Sequence, residues 1–369
     1  MQNKDNPNED TAIIEFIDDI LYAAINKRAS DIHFEPYQEH YRIRLRIDGL
    51  LYANTKASIS LGPRFSARLK IMANLDIAEK RLPQDGRFRV QIAGKNQDCR
   101  LSVCPTIFGE KLVVRILNPI NISLDLDSID MSSEEREIFY KYIHKPQGLI
   151  LVTGPTGSGK TVTLYTALNL LNQTTKNIAT VEDPVEINLT GINQVEINHK
   201  IGLDFAKTLR TLLRQDPDII MIGEIRDLET AQIAIKAAYT GHLVLATLHT
   251  NSAAASLTRL INMGIPAFDL ANAVSLIIAQ RLVRKICPKC KKVNTAKCLN
   301  CHDGYKDRMA VFEMLPITQS VQELITNNYN QLDLEQKMHT LKIPNLREAA
   351  MQKVQDGITD IVEVNRVMV

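Results

Sequence analysis

One junction constrains this chain more than any other feature. An unbroken apolar run, Leu149-Ile150-Leu151-Val152-Thr153, passes directly into Gly154-Pro155-Thr156-Gly157-Ser158-Gly159-Lys160-Thr161. A strand that is apolar at every position has no solvent face, so it belongs in a parallel sheet covered on both sides. The eight residues after it fit G-x-x-x-x-G-K-[ST] between a strand and a helix. Glycines in such a loop let the backbone wrap closely around phosphate oxygens, with N–H groups and a helix N-terminus facing inward. Lys160 is expected to place positive charge at the β- and γ-phosphates of ATP, and Thr161 to offer a hydroxyl to Mg2+.

The text around the junction supports this expectation. Further apolar strands are predicted at Ile178–Val181, Asp218–Ile222 and Leu243–Leu248, separated by helical stretches. Strands alternating with helices imply a mostly parallel sheet. The fold class is therefore α/β, with a P-loop NTPase (RecA-like) domain over residues 131–369. In such sheets ligands bind beyond the strands' carboxyl ends. Glu224 follows Asp218–Ile222 and is the choice for activating the attacking water. Asp218 reads equally as a strand-start residue. Glu182 and Asp183 end another apolar strand and would hold Mg2+, directly or through water, unless Asp183 only caps the chain before Pro184. His242 and His249 flank Leu243–Leu248 and read as γ-phosphate sensors, since imidazole responds to nearby charge.

Ahead of this lies a small α+β domain, residues 11–118. Thr11–Arg28 has a helical apolar face, Ile13, Ile17, Ile20, Leu21, Ala24 and Ile25. Tyr41–Ile47 alternates strictly, apolar on one face and Arg42, Arg44 and Arg46 on the other, and ends at an Asp48-Gly49 turn. Arg64–Leu75 reads as a helix, Leu112–Leu117 as a strand, and Phe88–Ile92 with Cys99–Val103 as a hairpin about Ala93-Gly94-Lys95-Asn96. Residues 1–10 are expected to be a disordered tail and 119–130 a linker. After Cys301 the text reads as helical, with 317–369 a helical C-terminal region in which Gly357 ends one helix and Thr359 caps the next.

Of six cysteines, Cys99 and Cys104 read as buried small apolar residues. The others, Cys287, Cys290, Cys298 and Cys301, form C-x₂-C-x₇-C-x₂-C, two knuckles suited to one tetrahedral Zn2+; a redox disulfide is the rival. Arg281, Arg284, Lys285, Lys289, Lys291, Lys292 and Lys297 flank them, read as a solvated basic rim or as a surface for nucleic acid or lipid. A net charge of +2, aromatics at 5% and the absence of Trp argue against a nucleic-acid translocase, so no specific nucleic acid is expected. No run reaches the roughly 20 apolar residues of a membrane span, Leu270–Val283 included, so a transmembrane segment is not expected and a cytoplasmic location is.

Taken together, these segments resemble the secretion ATPase superfamily, the motors of type II secretion and type IV pilus assembly. The resemblance covers the chain from about Ser30. It rests on Ser30-Asp31-Ile32-His33-Phe34-Glu35-Pro36, Arg44-Leu45-Arg46-Ile47-Asp48-Gly49 and Leu75 to Arg87, then on Thr180–Glu186, Leu213 to Asp227 and Thr240–Thr250. It implies a homo-hexameric ring that hydrolyses ATP, with its sites between the two domains, held at the inner membrane by a platform protein. It also implies that Arg100 and Arg115 reach the γ-phosphate, with Arg226 and Arg210 as further contacts. The tetracysteine module and Leu260–Phe268 resemble the pilus-assembly branch, with type II secretion as the alternative. The seven-residue spacer between knuckles is shorter than the family's usual one, and the family's extra N-terminal docking domain is expected to be missing.

Overall fold

The computed structural model describes residues 7–92, 94–117, 123–293 and 298–368. The chain divides into two compact units, Met1–Ile122 and Ser123–Val369.

The first unit runs α1 (Pro7–Asn26), β1 (Asp31–Pro36), β2 (His40–Ile47), β3 (Leu50–Ser58), α2 (Gly62–Met72), β4 (Gln84–Ile92), β5 (Lys95–Thr106) and β6 (Gly109–Ile116). Helix α1 begins at Pro7, so the expected tail is shortened at its C-terminal end, and residues 1–6 lie outside the described residues. Six described strands form one sheet in the order β3-β2-β1-β6-β5-β4, every pair antiparallel. The alternation read in β2 separates two faces. Tyr41, Ile43, Leu45 and Ile47 turn inward with Ile32, Phe34, Leu101, Val103, Leu112 and Val114, and meet Ile17, Leu21, Phe65 and Leu69 from the two helices. Burying each such large side chain contributes roughly 1.5–3 kcal/mol. The opposite face is charged. Cys99 is buried as expected, whereas Cys104, five positions further along β5 and so on the opposite face, is exposed.

The second unit contains α3 (Ser133–Ile143), β7 (Gly148–Thr153), α4 (Lys160–Leu171), β8 (Ile178–Glu182), β9 (Asn193–Glu196), α5 (Phe205–Leu212), β10 (Ile219–Ile222), α6 (Leu228–Tyr239), β11 (Leu243–Leu248), α7 (Ala253–Asn262) and α8 (Ala267–Ala273). It continues with β12 (Val274–Ile286), β13 (Tyr305–Pro316), α9 (Gln319–Asn328), α10 (Gln331–Thr340), α11 (Leu346–Gln355) and α12 (Ile361–Val367). Its described strands are ordered β13-β12-β7-β11-β10-β8-β9, parallel except for β12 with β13. Each central strand feeds two cores, as a run apolar on both faces must. Leu149, Leu151, Ile220, Ile222, Val244 and Ala246 pack with α5 to α10 residues such as Leu209, Ala234 and Leu257. Ile150, Val152, Ile219, Met221, Leu243 and Leu245 pack with Phe139, Leu164 and Leu168 on the other side.

Three readings are corrected here. Tyr305–Pro316 is a twelve-residue strand rather than helix, because its partner β12 gives it a full antiparallel ladder. Asp360, not Thr359, caps α12; Thr359 is buried and its hydroxyl donates to the Arg284 carbonyl at 2.9 Å. Arg281 and Arg284 do not belong to a solvated rim, being 7% and 5% exposed. Within that rim, Lys297 lies outside the described residues.

Candidate active site and cysteine cluster

The Gly154–Gly159 loop joins β7 to α4 with Gly154 at φ 151° and Gly159 at φ 88°. Both glycines are required by crowding as well as by conformation. A Cβ on Gly154 would lie 2.5 Å from the Gln280 carbonyl oxygen, and one on Gly159 would lie 2.8 Å from Gln280 Nε2. Gln280, on β12, is 2% exposed and is fixed by the Thr163 hydroxyl donating to its Oε1 at 2.7 Å. Sequence reading gave Gln280 no role, although a Gln-Arg pair inside an apolar run was the available signal.

Helix α4 starts without a side-chain cap. Its first N–H groups therefore keep the partial positive charge that attracts anions. The Lys160 side chain lies beside them, 8% exposed, with Nζ donating to the carbonyls of Gly154 at 2.7 Å and Pro155 at 3.0 Å. Burial pulls its pKa down to about 8, with Glu224 opposing the fall and Arg281 adding to it. Pro155, Thr156 and Gly157 are exposed, Ser158 is buried with its hydroxyl unpartnered among the described residues, and Thr161 is half-buried.

Because β7, β8, β10 and β11 are parallel, their carboxyl ends share one edge with the loop. The structure brings Glu224, His249 and Asp183 to that edge. His249 Nε2 is 3.5 Å from Glu224 Oε2, and Arg226 pairs with Glu224 and stands 3.8 Å from Asp183 Oδ2. His199, unremarked in the sequence, is 3.7 Å from the same Asp183 oxygen. Burial lowers the His249 pKa, with Lys160 reinforcing the effect. Arg281 connects this edge to the loop: Nη1 donates to the Gln280 carbonyl at 3.0 Å, and Nη2 to the carbonyl and side-chain oxygens of Asn251, each at 3.1 Å.

Other sequence candidates lie elsewhere or are held by protein contacts. His242 precedes β11, at the opposite end of a six-residue strand, with Nδ1 donating to the Ala237 carbonyl at 3.0 Å. At about 3.3 Å per residue it is some 20 Å from His249. Asp218 is likewise at a strand start, accepting from the Asn177 N–H at 2.7 Å. Glu182 is 3% exposed, and its carboxylate accepts from Tyr165, Thr180 and Gln194 at 2.5, 2.6 and 3.1 Å, so it is committed to protein donors. Arg210 pairs with Glu229, away from the Glu224 cluster.

In the first unit, Arg100 and Arg115 stand directly opposite each other on β5 and β6. Arg115 Nε donates to Asp31 at 2.9 Å, and Arg100 is 3.6 Å from Asp85. Like charges facing across a ladder are unfavourable, and a bound anion would relieve them.

The four cysteine sulfurs lie within 4.8 Å of one another, with Cys287 to Cys298 at 3.9 Å and Cys290 to Cys301 at 3.6 Å. A tetrahedral site with Zn–S near 2.3 Å has sulfurs about 3.8 Å apart. The donor set therefore fits zinc, and all four are free thiols rather than a disulfide. The Lys292 ammonium, next to the first knuckle, reaches Asp360 at the start of α12 at 2.5 Å. No helix among the described residues is long and apolar enough to cross a membrane.

A family model described as type II/IV secretion system protein matches residues 6–366. The type IV pilus assembly ATPase PilB of Pseudomonas aeruginosa is 48% identical over 384 aligned positions, covering 97% of this chain and 68% of that protein. The PilB of Acinetobacter baylyi is 46% identical, covering 98% and 67%. The crystal structure of the pilus retraction motor PilT with bound ADP superimposes with a TM-score of 0.67 at 27% identity, over 94% of this chain and 95% of that one.

Proposed function

Since this chain belongs to the type II/IV secretion system protein family, we propose that it is an ATP-hydrolysing motor for type IV pilus assembly. The observation that carries this is the uncapped start of α4, wrapped by glycines wedged on Gln280, with a buried lysine beside it and Glu224 at the same sheet edge. Backbone N–H groups of residues 156–159 and of the first turn of α4 would cradle the phosphates, Lys160 would contact the β- and γ-phosphates, and Thr161 would offer its hydroxyl to Mg2+. Asp183 would help to hold the cation, while Glu182 supports β8 from inside. Glu224 orients the attacking water once Arg226 releases it, and His249 reports on the terminal phosphate. Six copies of the chain assemble into the working ring, in which Arg100 and Arg115 serve as catalytic charges. The four cysteines would hold one Zn2+, which would tie the two knuckles together. Work would be delivered to a platform protein at the inner membrane, with the chain itself on the cytoplasmic side.

Type II secretion is the second reading, because the family model spans both machines. Replacing the chromosomal copy by Lys160→Ala separates them. Loss of surface pili with intact export of secreted enzymes is the expected outcome; loss of export with normal pili would replace pilus assembly by type II secretion.

A further inference from the structure

Buried arginines are ordinarily paired with carboxylates, because an isolated charge is costly to take out of water. Arg281 is 7% exposed and forms no ion pair among the described residues. Burial lowers its pKa, and Glu313 on β13 is the acid that opposes the fall. Both oxygens of Glu313 are taken by helix starts, Oε1 accepting from the Ala253 N–H at 2.7 Å and Oε2 from the Leu346 N–H at 3.1 Å. The guanidinium instead gives its donors to three neutral oxygens, the Gln280 carbonyl and the carbonyl and side-chain oxygens of Asn251.

The sheet order shows what this reach accomplishes. Strand β7 lies between β12 and β11, with Ala279 beside Thr153 and Thr153 beside Leu248. Gln280 and Arg281 therefore continue β12 past the point where β7 gives way to the glycine loop. From there Arg281 reaches over the end of β7 to Asn251, two residues after His249. One end of this bridge is the Gln280 carbonyl, the same oxygen that crowds Gly154. The other end is the turn between β11 and α7. Thr153 ties that turn as well, its Oγ1 accepting from the Thr250 N–H at 3.0 Å. The turn is thus fixed at Thr250, Asn251 and Ala253, and it carries His249, whose Nε2 stands 3.5 Å from Glu224 Oε2.

We propose that Arg281 is the positioning residue for His249, holding the turn after β11 against the wall of the glycine loop so that the imidazole keeps its place beside Glu224. The inference rests on the ATPase reading above and on the part given to His249 in it. Arg281 touches no substrate. A planar guanidinium with donors aimed in two fixed directions suits such a bridge, which a single ammonium cannot reproduce. An error of about 1 Å in the group it places can cost roughly a hundredfold in rate.

The test is a double-mutant cycle on the full chain, with kcat and KM for ATP measured for wild type, Arg281→Met, Arg281→Lys, His249→Ala and each Arg281 variant combined with His249→Ala. Arg281→Met should lower kcat by about 10- to 100-fold with KM changed less than about threefold. Arg281→Lys should lose nearly as much, although it keeps the charge. In the His249→Ala background the same substitutions should cost less than about threefold, because residues that act as one unit are not additive. In nucleotide-free protein the His249 pKa, followed by NMR of the ring, should rise toward 6.5 in Arg281→Lys, since a ring released from its place leaves the burial that lowers it. Wild-type turnover in either Arg281 variant, an equal loss with and without His249, or an unmoved His249 pKa in Arg281→Lys would overturn the proposal. The ring titration needs no ATP, so it decides the placing of His249 even where wild type fails to hydrolyse ATP, a result that would refute the ATPase reading instead. Should Arg281→Met not fold, Arg281→Lys carries the same cycle.

Discussion

Replacing Lys160 by Met should make the nucleotide-free protein more stable while abolishing its response to ATP. The side chain is 8% exposed, and burial lowers its pKa from 10.5 to about 8. That fall corresponds to about 3 kcal/mol. The folded protein holds this proton more weakly than the unfolded chain does, so the contribution is destabilising. It is fully present below about pH 8 and is gone above about pH 10.5. Two carbonyl contacts, at 2.7 and 3.0 Å, are lost with the ammonium and offset part of the gain. A net stabilisation of about 2 kcal/mol at pH 7, or roughly 4–8 °C in midpoint, is therefore expected for Lys160→Met. Scanning calorimetry at pH 7 and pH 9.5 should show the gap shrinking to less than half, as Lys160 loses its proton in the wild-type fold. Mg-ATP should raise the wild-type midpoint and leave the variant unmoved. A variant less stable than wild type at pH 7, or a gap independent of pH, would refute the reasoning that a buried charge is being held for an anionic ligand.

Two further predictions concern the second unit. Purified protein should contain about one Zn2+ per chain, and Cys301→Ser should release it while circular dichroism of the α/β core is retained; metal analysis finding none in wild type would remove the zinc assignment. Glu363 is fully buried, and although burial raises its pKa, hydrogen bonds from Arg366 and Arg284 prevail and hold it at about 2. A depressed carboxylate stabilises above its unfolded pKa, so Glu363→Gln should cost about 3 kcal/mol at pH 7 in urea titrations, the gap narrowing as pH falls from about 4.5 toward 2. A cost that does not change over that range would show that Glu363 acts by shape and not by charge.

The junction at Gly154 was legible because two independent signals coincide there, a strand with no polar face and a loop with no room for side chains. The second signal became physical only in the structure, where Gln280 is what crowds Gly154 and Gly159. That contact joins residues more than a hundred positions apart, and no local pattern announces it. His242 was separable from His249 in principle, since a residue preceding a parallel strand lies at the end away from the loop. Grouping the two because both flank one strand obscured this. Glu182 does end its strand as read, but strand alternation says which face a residue occupies, not that three donors wait there. Strand β13 was read as helix because its apolar run looks the same in either state until β12 is known to run beside it. Arg281 and Arg284 looked like surface charge by their company of lysines, yet they lie on a central strand and are paired inward with Asn251 and Glu363. That Arg100 and Arg115 face each other follows from register alone, which the sequence leaves open until the strand order is fixed.

The account depends most on Glu224 acting on water at a site whose binding is done by the glycine loop. Phosphate release and nucleotide binding measured side by side on wild type and Glu224→Gln test this directly. The amide keeps the shape of the side chain and loses the carboxylate, so ATP affinity should stay within about threefold while turnover falls by at least about a hundredfold. Parental turnover in Glu224→Gln, with ATP still bound, would contradict the assignment.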